Sequence, residues 1–144
     1  MKVTVNFDQI TGAVKPMHAV VQVPFAGGFN QLNFTPMQIL KDAHIPYARL
    51  HDVEYPYGSG EFVDVPCIFK NFDADENDPA SYVFGPTDRS IADLIEVGTK
   101  PFYRLGESID HTPNPLYIHP PKNPLKWAKI CEHIIRHYNE GWAN

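Results

Sequence analysis

Arg49, His51 and Asp52 crowd the end of one candidate strand, Tyr47-Ala-Arg-Leu-His-Asp52, and Glu107 with Ser108 closes another that runs from Phe102. Gln22 holds the matching place after a first strand. A guanidinium, an imidazole and two carboxyls at neighbouring strand ends could perform acid/base work on a polar substrate. If Asp52 and Glu107 flanked a glycosidic bond, a separation of about 5 to 5.5 Å would give retention and about 6.5 to 9.5 Å inversion. Strand side chains alternate, so Arg49 and His51 share a face while Leu50 takes the other. Taken alone, these residues favour a quieter reading: His51 as a hydrogen-bonded structural histidine, Arg49 paired with a carboxylate, and the two acids solvated or salt-bridged.

Other constellations fail on inspection. Asp73-x-Asp75-x-Asn77 opens like a calcium loop, but Asp78 stands where glycine is needed and Phe84 where a bidentate glutamate should close it. His133 and His137 have the i, i+4 spacing of helical zinc ligands without the following glutamate, and they read as a solvated helix face. Gly27-Gly28 lacks a helix start, and Gly106-Glu-Ser108 is not a nucleophile elbow. Cys67 and Cys131 are too few for a disulfide framework and read as reduced, buried thiols. No metal and no cofactor is expected.

A formal charge of −5 without a lysine or arginine cluster argues against nucleic acid and anionic membranes. No apolar run nears the roughly 20 residues of a membrane span, and Met1 to Asn6 lacks the apolar core of a signal peptide, so a cytoplasmic location is expected. The 14 prolines point to many loops and element starts.

The elements that must position the strand-end residues follow from periodicity and punctuation. Val3, Val5 and Phe7 alternate with polar neighbours, and Asp8 to Gly12 supplies turn chemistry, which predicts a hairpin leading into an extended stretch from Val14 to Val23. Thr35-Pro36 caps a short helix carried by Met37, Ile39, Leu40 and Ala43 and ended by Pro46. Residues 53–85 form a long excursion dense in turn residues, with a small hairpin around Gly58 to Gly60 and enough aromatic residues to disfavour disorder. Pro86-Thr-Asp88 opens a second helix with Ile91, Leu94, Ile95 and Val97 inward and Gly98 as its left-handed cap. Asn123 and Pro124 begin a third, whose stripe is Trp127, Ile130, Cys131, Ile134, Ile135 and Tyr138; Asn139-Glu140, followed by Gly141, reads as its C-terminal cap and loop. Short helix-to-strand loops and long strand-to-helix loops favour an α/β fold of the (β/α) barrel kind. Three βα units are present, so residues 1–144 are expected to be a single incomplete domain.

Four segments in order carry a family resemblance: Tyr47 to Asp52, Gly98-Thr-Lys-Pro-Phe-Tyr-Arg-Leu-Gly106, Pro120-Pro-Lys-Asn-Pro-Leu-Lys-Trp127, and Ile130 to Trp142. Together they resemble glycoside hydrolase family 39, the β-xylosidase and α-L-iduronidase family. The resemblance implies a (β/α)8 TIM barrel and retaining cleavage of a xyloside-like or uronide-like glycoside. It also implies that the acid/base and nucleophilic glutamates lie beyond Asn144, leaving this part inactive without the remainder of its barrel. Arg49 and His51 match the family's Arg-x-His, which faces the sugar; Asp52, Glu107 and Gln22 are further candidate substrate contacts. His44 stands where relatives often carry a helix-ending glycine, and Val20-Val-Gln-Val-Pro24 replaces a more polar, glycine-containing segment. The other reading of the chain is a non-enzymatic carbohydrate-binding or assembly module that uses the aromatic residues of 53–85.

Overall fold

Three short strands, β1 (Val20–Val21), β2 (Tyr47–Leu50) and β3 (Lys100–Tyr103), pair in parallel in the order β1-β2-β3 in the computed structural model, which describes residues 1–21, 36–50, 62–108, 113 and 119–144. Val20 lies beside Ala48, and Ala48 beside Pro101; one step on, Val21, Arg49 and Phe102 are neighbours. Because side chains alternate along each strand, the register sorts the sheet into two unlike faces. Ala48 and Leu50 are fully buried on the first, under Met37 and Leu40 of helix α1 (Pro36–Asp42) and Ile91 and Leu94 of helix α3 (Gly85–Glu96). On the second face Val21, Tyr47 and Phe102 keep 55%, 47% and 61% of their surface, so no described element covers it.

Local chemistry explains where the helices stop. His44 adopts φ 50°, the left-handed position for which glycine is favoured, directly after α1, and Ile45 N–H returns to Leu40 O. At α3 the same place is filled by Gly98 at φ 82°, with Thr99 N–H bonded to Leu94 O at 3.0 Å. Thr99, fully buried, also donates its hydroxyl to Ile45 O at 2.9 Å, while Lys100 N–H reaches Pro46 O. Those two bonds join the starts of β2 and β3. Helix α4 (Pro124–Glu140) opens with Asn123 Oδ1 accepting from the N–H groups of Leu125 and Lys126, and Gly141 at φ 75° closes it. Asn139 and Glu140 lie in its last turn rather than in a cap and loop, with Glu140 paired to Arg136 at 2.8 Å.

Much of the excursion is ordered. Residues 62–84 contain helix α2 (Val65–Ile68), a 3-10 turn at Pro79–Ser81, and side-chain-capped turns in which Asn71, Asp75 and Asp78 each accept a backbone N–H two residues on. The calcium-like segment thus spends its Asp75 oxygen on Asn77, which also holds that carboxyl below its ordinary value. Phe69, Tyr82 and Phe84 are buried with Val65, Ile68, Ile130 and Ile134 in a second apolar cluster between the excursion and α4. Tyr103 and Tyr138, with centroids 5.7 Å apart, pack against both clusters and make them one core.

Several expectations are corrected. No hairpin forms at the start: residues 1–19 carry neither helix nor strand, and Val3, Val5 and Phe7 stay in solvent. A two-stranded ribbon is marginal unless one of its faces is covered. Ile39, Ile95 and Ile135, expected inward, are about half exposed because α1, α3 and α4 each bury a narrower stripe than their sequences offer. β3 ends at Tyr103 rather than Glu107. His133 and His137 are not a solvated face but are buried, since the excursion folds across that side of α4. His133 Nδ1 donates to Glu76 O at 2.7 Å and its ring stacks on Trp142 at 4.2 Å; His137 Nδ1 donates to Trp142 O and its ring stacks on Phe84 at 3.7 Å. Cys67 and Cys131 are half-buried rather than buried, and burial pushes the Cys131 thiol up. Thr35, the glycines at 58 and 60 and the rest of 53–61 lie outside the described residues.

Of the two adjacent isoleucines in α4, Ile134 is 1% exposed and Ile135 46%. Ile134→Ala should therefore lower the stability read from urea denaturation by about 2 to 5 kcal/mol. Ile135→Ala should cost about 0.5 kcal/mol. Equal losses would mean that α4 packs through a different face.

Candidate functional site

Of the residues singled out by the sequence at the strand ends, the structure describes Arg49, Glu107 and Ser108. Arg49 lies in β2 on the uncovered face, half-buried, beside Val21 and Phe102, and its side chain makes no hydrogen bond or ion pair with another described residue. The alternation that buries Ala48 and Leu50 against helices presents it there. His51 and Asp52, the next two residues, and Gln22, directly after β1, lie outside the described residues. Glu107 is half-buried in the segment that follows β3, where its carbonyl accepts from Arg104 Nη1 at 2.6 Å.

What organises this end of the sheet is a group that sequence reasoning missed. Asp64, 3% exposed, occupies the N-cap position of α2 but does not cap it. Its carboxylate turns to the segment after β3 instead. There Oδ1 accepts from Arg104 Nη2 at 2.8 Å and from the Ser108 hydroxyl at 3.1 Å, and Oδ2 accepts from Ser108 N–H. Arg104 Nη2 also reaches Ser108 Oγ at 2.9 Å. Two further bonds run in parallel: Tyr103 hydroxyl to Val63 O at 2.7 Å, and Val65 N–H to Gly106 O at 3.0 Å. Burial, with the nearby Asp64 charge second, raises the Tyr103 phenol well above its ordinary value, so it remains a donor.

In chemical terms these are two different devices. The Asp64–Arg104–Ser108 group pairs charge with charge in a nearly dry setting, and the carboxylate is fully engaged as an acceptor. Such a group fixes geometry. Arg49 is the opposite: a cation on an open sheet face next to an aromatic ring, suited to hold a polar or anionic group that also presents an apolar surface. Among the described residues no group of three or more His, Cys, Asp or Glu is arranged to hold a metal ion. No described helix is long and apolar enough to cross a membrane.

Asp64 and Arg104 are 40 residues apart and belong to no sequence motif, and a lone Asp before a Val-Pro helix start reads as an ordinary cap. Only the absence of an acidic or Ser/Thr alternative in the Phe-Val-Asp-Val-Pro stretch singles Asp64 out, and that does not identify its partner.

No protein-family profile matches this sequence, and no curated protein matches it. Among solved structures, a glucosidase from Croceicoccus marinus, determined at 1.8 Å, is similar in fold, with a TM-score of 0.58 at 21% identity over 87% of this chain. The chain spans 24% of that protein's length. The described architecture, a parallel sheet with helices, is thus similar in fold to part of that protein.

The clamp makes a separable prediction. Asp64→Ala strands the Arg104 charge and should cost about 3 to 5 kcal/mol. Adding Arg104→Met to Asp64→Ala should cost less than the two single changes summed, by at least about 1 kcal/mol in a double-mutant cycle read by urea denaturation. Additive losses would mean that the two side chains do not work as a pair.

Proposed function

We propose that this chain is the amino-terminal part of a retaining glycoside hydrolase built on a (β/α)8 barrel, similar to the β-xylosidases of family 39. Its three strands and the helices between them are the first three of eight βα units. The observation that carries the reading is the one-sided sheet: strands in sequential parallel order, helices against Ala48 and Leu50, and a face bearing Val21, Arg49 and Phe102 that no described element covers. In a barrel such a face looks inward and is covered when the remaining strands close the ring. The likeness in fold to about a quarter of a glucosidase supports the same reading.

On this reading the substrate is a carbohydrate, a xyloside-like or uronide-like glycoside, and the two catalytic carboxyls lie beyond Asn144. Arg49 then reaches the sugar from the barrel mouth, with His51 beside it on the same face and Asp52, Glu107 and Gln22 nearby. Its role is to hold a sugar hydroxyl or carboxylate through charge-assisted hydrogen bonds that strengthen as positive charge develops at the anomeric carbon. The Asp64 clamp fixes the two loops between which that sugar would sit. The rings of the excursion weigh against a binding-module role for it, because Phe62, Phe69, Tyr82 and Phe84 are buried in the core.

Two measurements test the proposal. The purified 144-residue chain should not hydrolyse 4-nitrophenyl β-xyloside, β-glucoside or α-arabinoside above a heat-inactivated control. Turnover that disappears in Asp52→Asn or Glu107→Gln would instead place the chemistry within this chain. In the longer protein, Arg49→Ala and His51→Ala should each lower kcat/KM by about 10² or more, in line with lost transition-state hydrogen bonds, while the thermal midpoint stays within a few degrees. Unchanged kcat/KM in both variants would return these residues to a structural role.

A further inference from the structure

Between the excursion and the start of α4 lies a cleft of about 400 Å³ whose walls are rings and whose rim is basic. Phe72 and Trp127, both half-buried, supply flat apolar surface over the buried Phe69, and Pro66 adds a stiff one. The charged residues that line it are Lys70 and Lys122, both exposed, and neither forms an ion pair with a described residue. Lys126 differs. Its ammonium lies 5.9 and 5.7 Å from the ring centres of Phe69 and Phe72 and is already neutralised by Glu76 at 3.2 Å, with Ala74 O as a further acceptor. The aromatic wall is thus held in place by a cation that has no charge to spare, while the rim offers two positive charges in a chain of net charge −5. The amino-terminal end of α4 adds partial positive charge on the same side, although Asn123 already takes up the N–H groups of Leu125 and Lys126.

From this charge complementarity and shape we infer that the cleft binds a small aromatic carboxylic acid, its rings against Phe72 and Trp127 and its carboxylate between Lys70 and Lys122. A cleft of this volume is at the small end of the range for organic ligands and accommodates a two-ring acid. Flat rings gain from edge or offset contact with the aromatic walls, and the two rim ammonium groups add a salt-screened attraction for the carboxylate. A neutral ring of the same size keeps the first contribution and loses the second. Its lining residues come from the excursion and from the start of α4, and neither Arg49 nor any strand residue is among them, so it does not depend on the sugar-cleaving reading.

The test is calorimetric titration of the full chain with biphenyl-4-acetate and with its uncharged isostere biphenyl-4-acetamide. Saturable one-to-one binding of the acid, at least about tenfold tighter than the amide and weakened by added salt, is the expected result. Lys70→Gln with Lys122→Gln should remove the tenfold preference and leave the amide's affinity unchanged; both positions are exposed, so the fold tolerates the change. Equal affinities for acid and amide, a preference that survives in the double variant, or no saturable heat at millimolar ligand would each overturn the inference.

Discussion

A carboxylate taken out of water must be met on nearly every lone pair, and the architecture of this chain is arranged around one that is. Asp64 accepts from a guanidinium, a hydroxyl and a backbone N–H, all supplied by the five residues that follow β3. An excursion of this length between β2 and α3 would otherwise be free to sample many paths, at a cost of about 1 to 2 kcal/mol for each residue it orders. Once Asp64 is anchored, α2 is fixed at the end of the sheet, and the chain beyond it lies across α4. The second apolar cluster and the burial of His133 and His137 both depend on that placement.

Tyr103 and Tyr138 show how the two halves of the core became one. Tyr103 belongs to β3 and Tyr138 to the last turn of α4, and each touches both clusters. Their phenols are spent on Val63 O and Asp88 Oδ1, bonds that tie the excursion to β3 and α4 to α3. Burial raises both phenols far above the ordinary tyrosine value, so neither bond is at risk in neutral solution. A buried polar network of this kind is worth having only when its members are satisfied, and these are.

How much of this was legible in the sequence depends on whether the signal was local. Asn123-Pro124 as a helix start, and Gly98 and Gly141 as helix ends, are backbone requirements written in single residues, and each is found in that role. The order of strands and helices was equally readable, because 3.6-residue and two-residue periods differ. Hydrophobic alternation in Val3, Val5 and Phe7 promised a strand and delivered none, since a pattern records what a segment could bury and not whether anything is there to cover it. Ile95 and Ile135 failed for the same reason, and His133 failed in the opposite sense: polar by type, it was buried by an excursion some fifty residues earlier in the chain. Arg49 was placed correctly on its strand, while the Asp64–Arg104 pair that steadies its surroundings left no trace in sequence spacing.

Thr99 lies at the other end of the sheet from all of this. Fully buried, it stitches the turn before β3 to the turn before β2 with a side-chain hydrogen bond, and Lys100 N–H repeats the tie through the backbone. The strands are thereby aligned from below, without reference to the loops above them. The register that brings Arg49 level with Phe102 therefore has a tie of its own at the start of the strands. The two ends of the sheet are thus fixed by separate contacts, Thr99 setting the strands at one end and Asp64 the loops at the other.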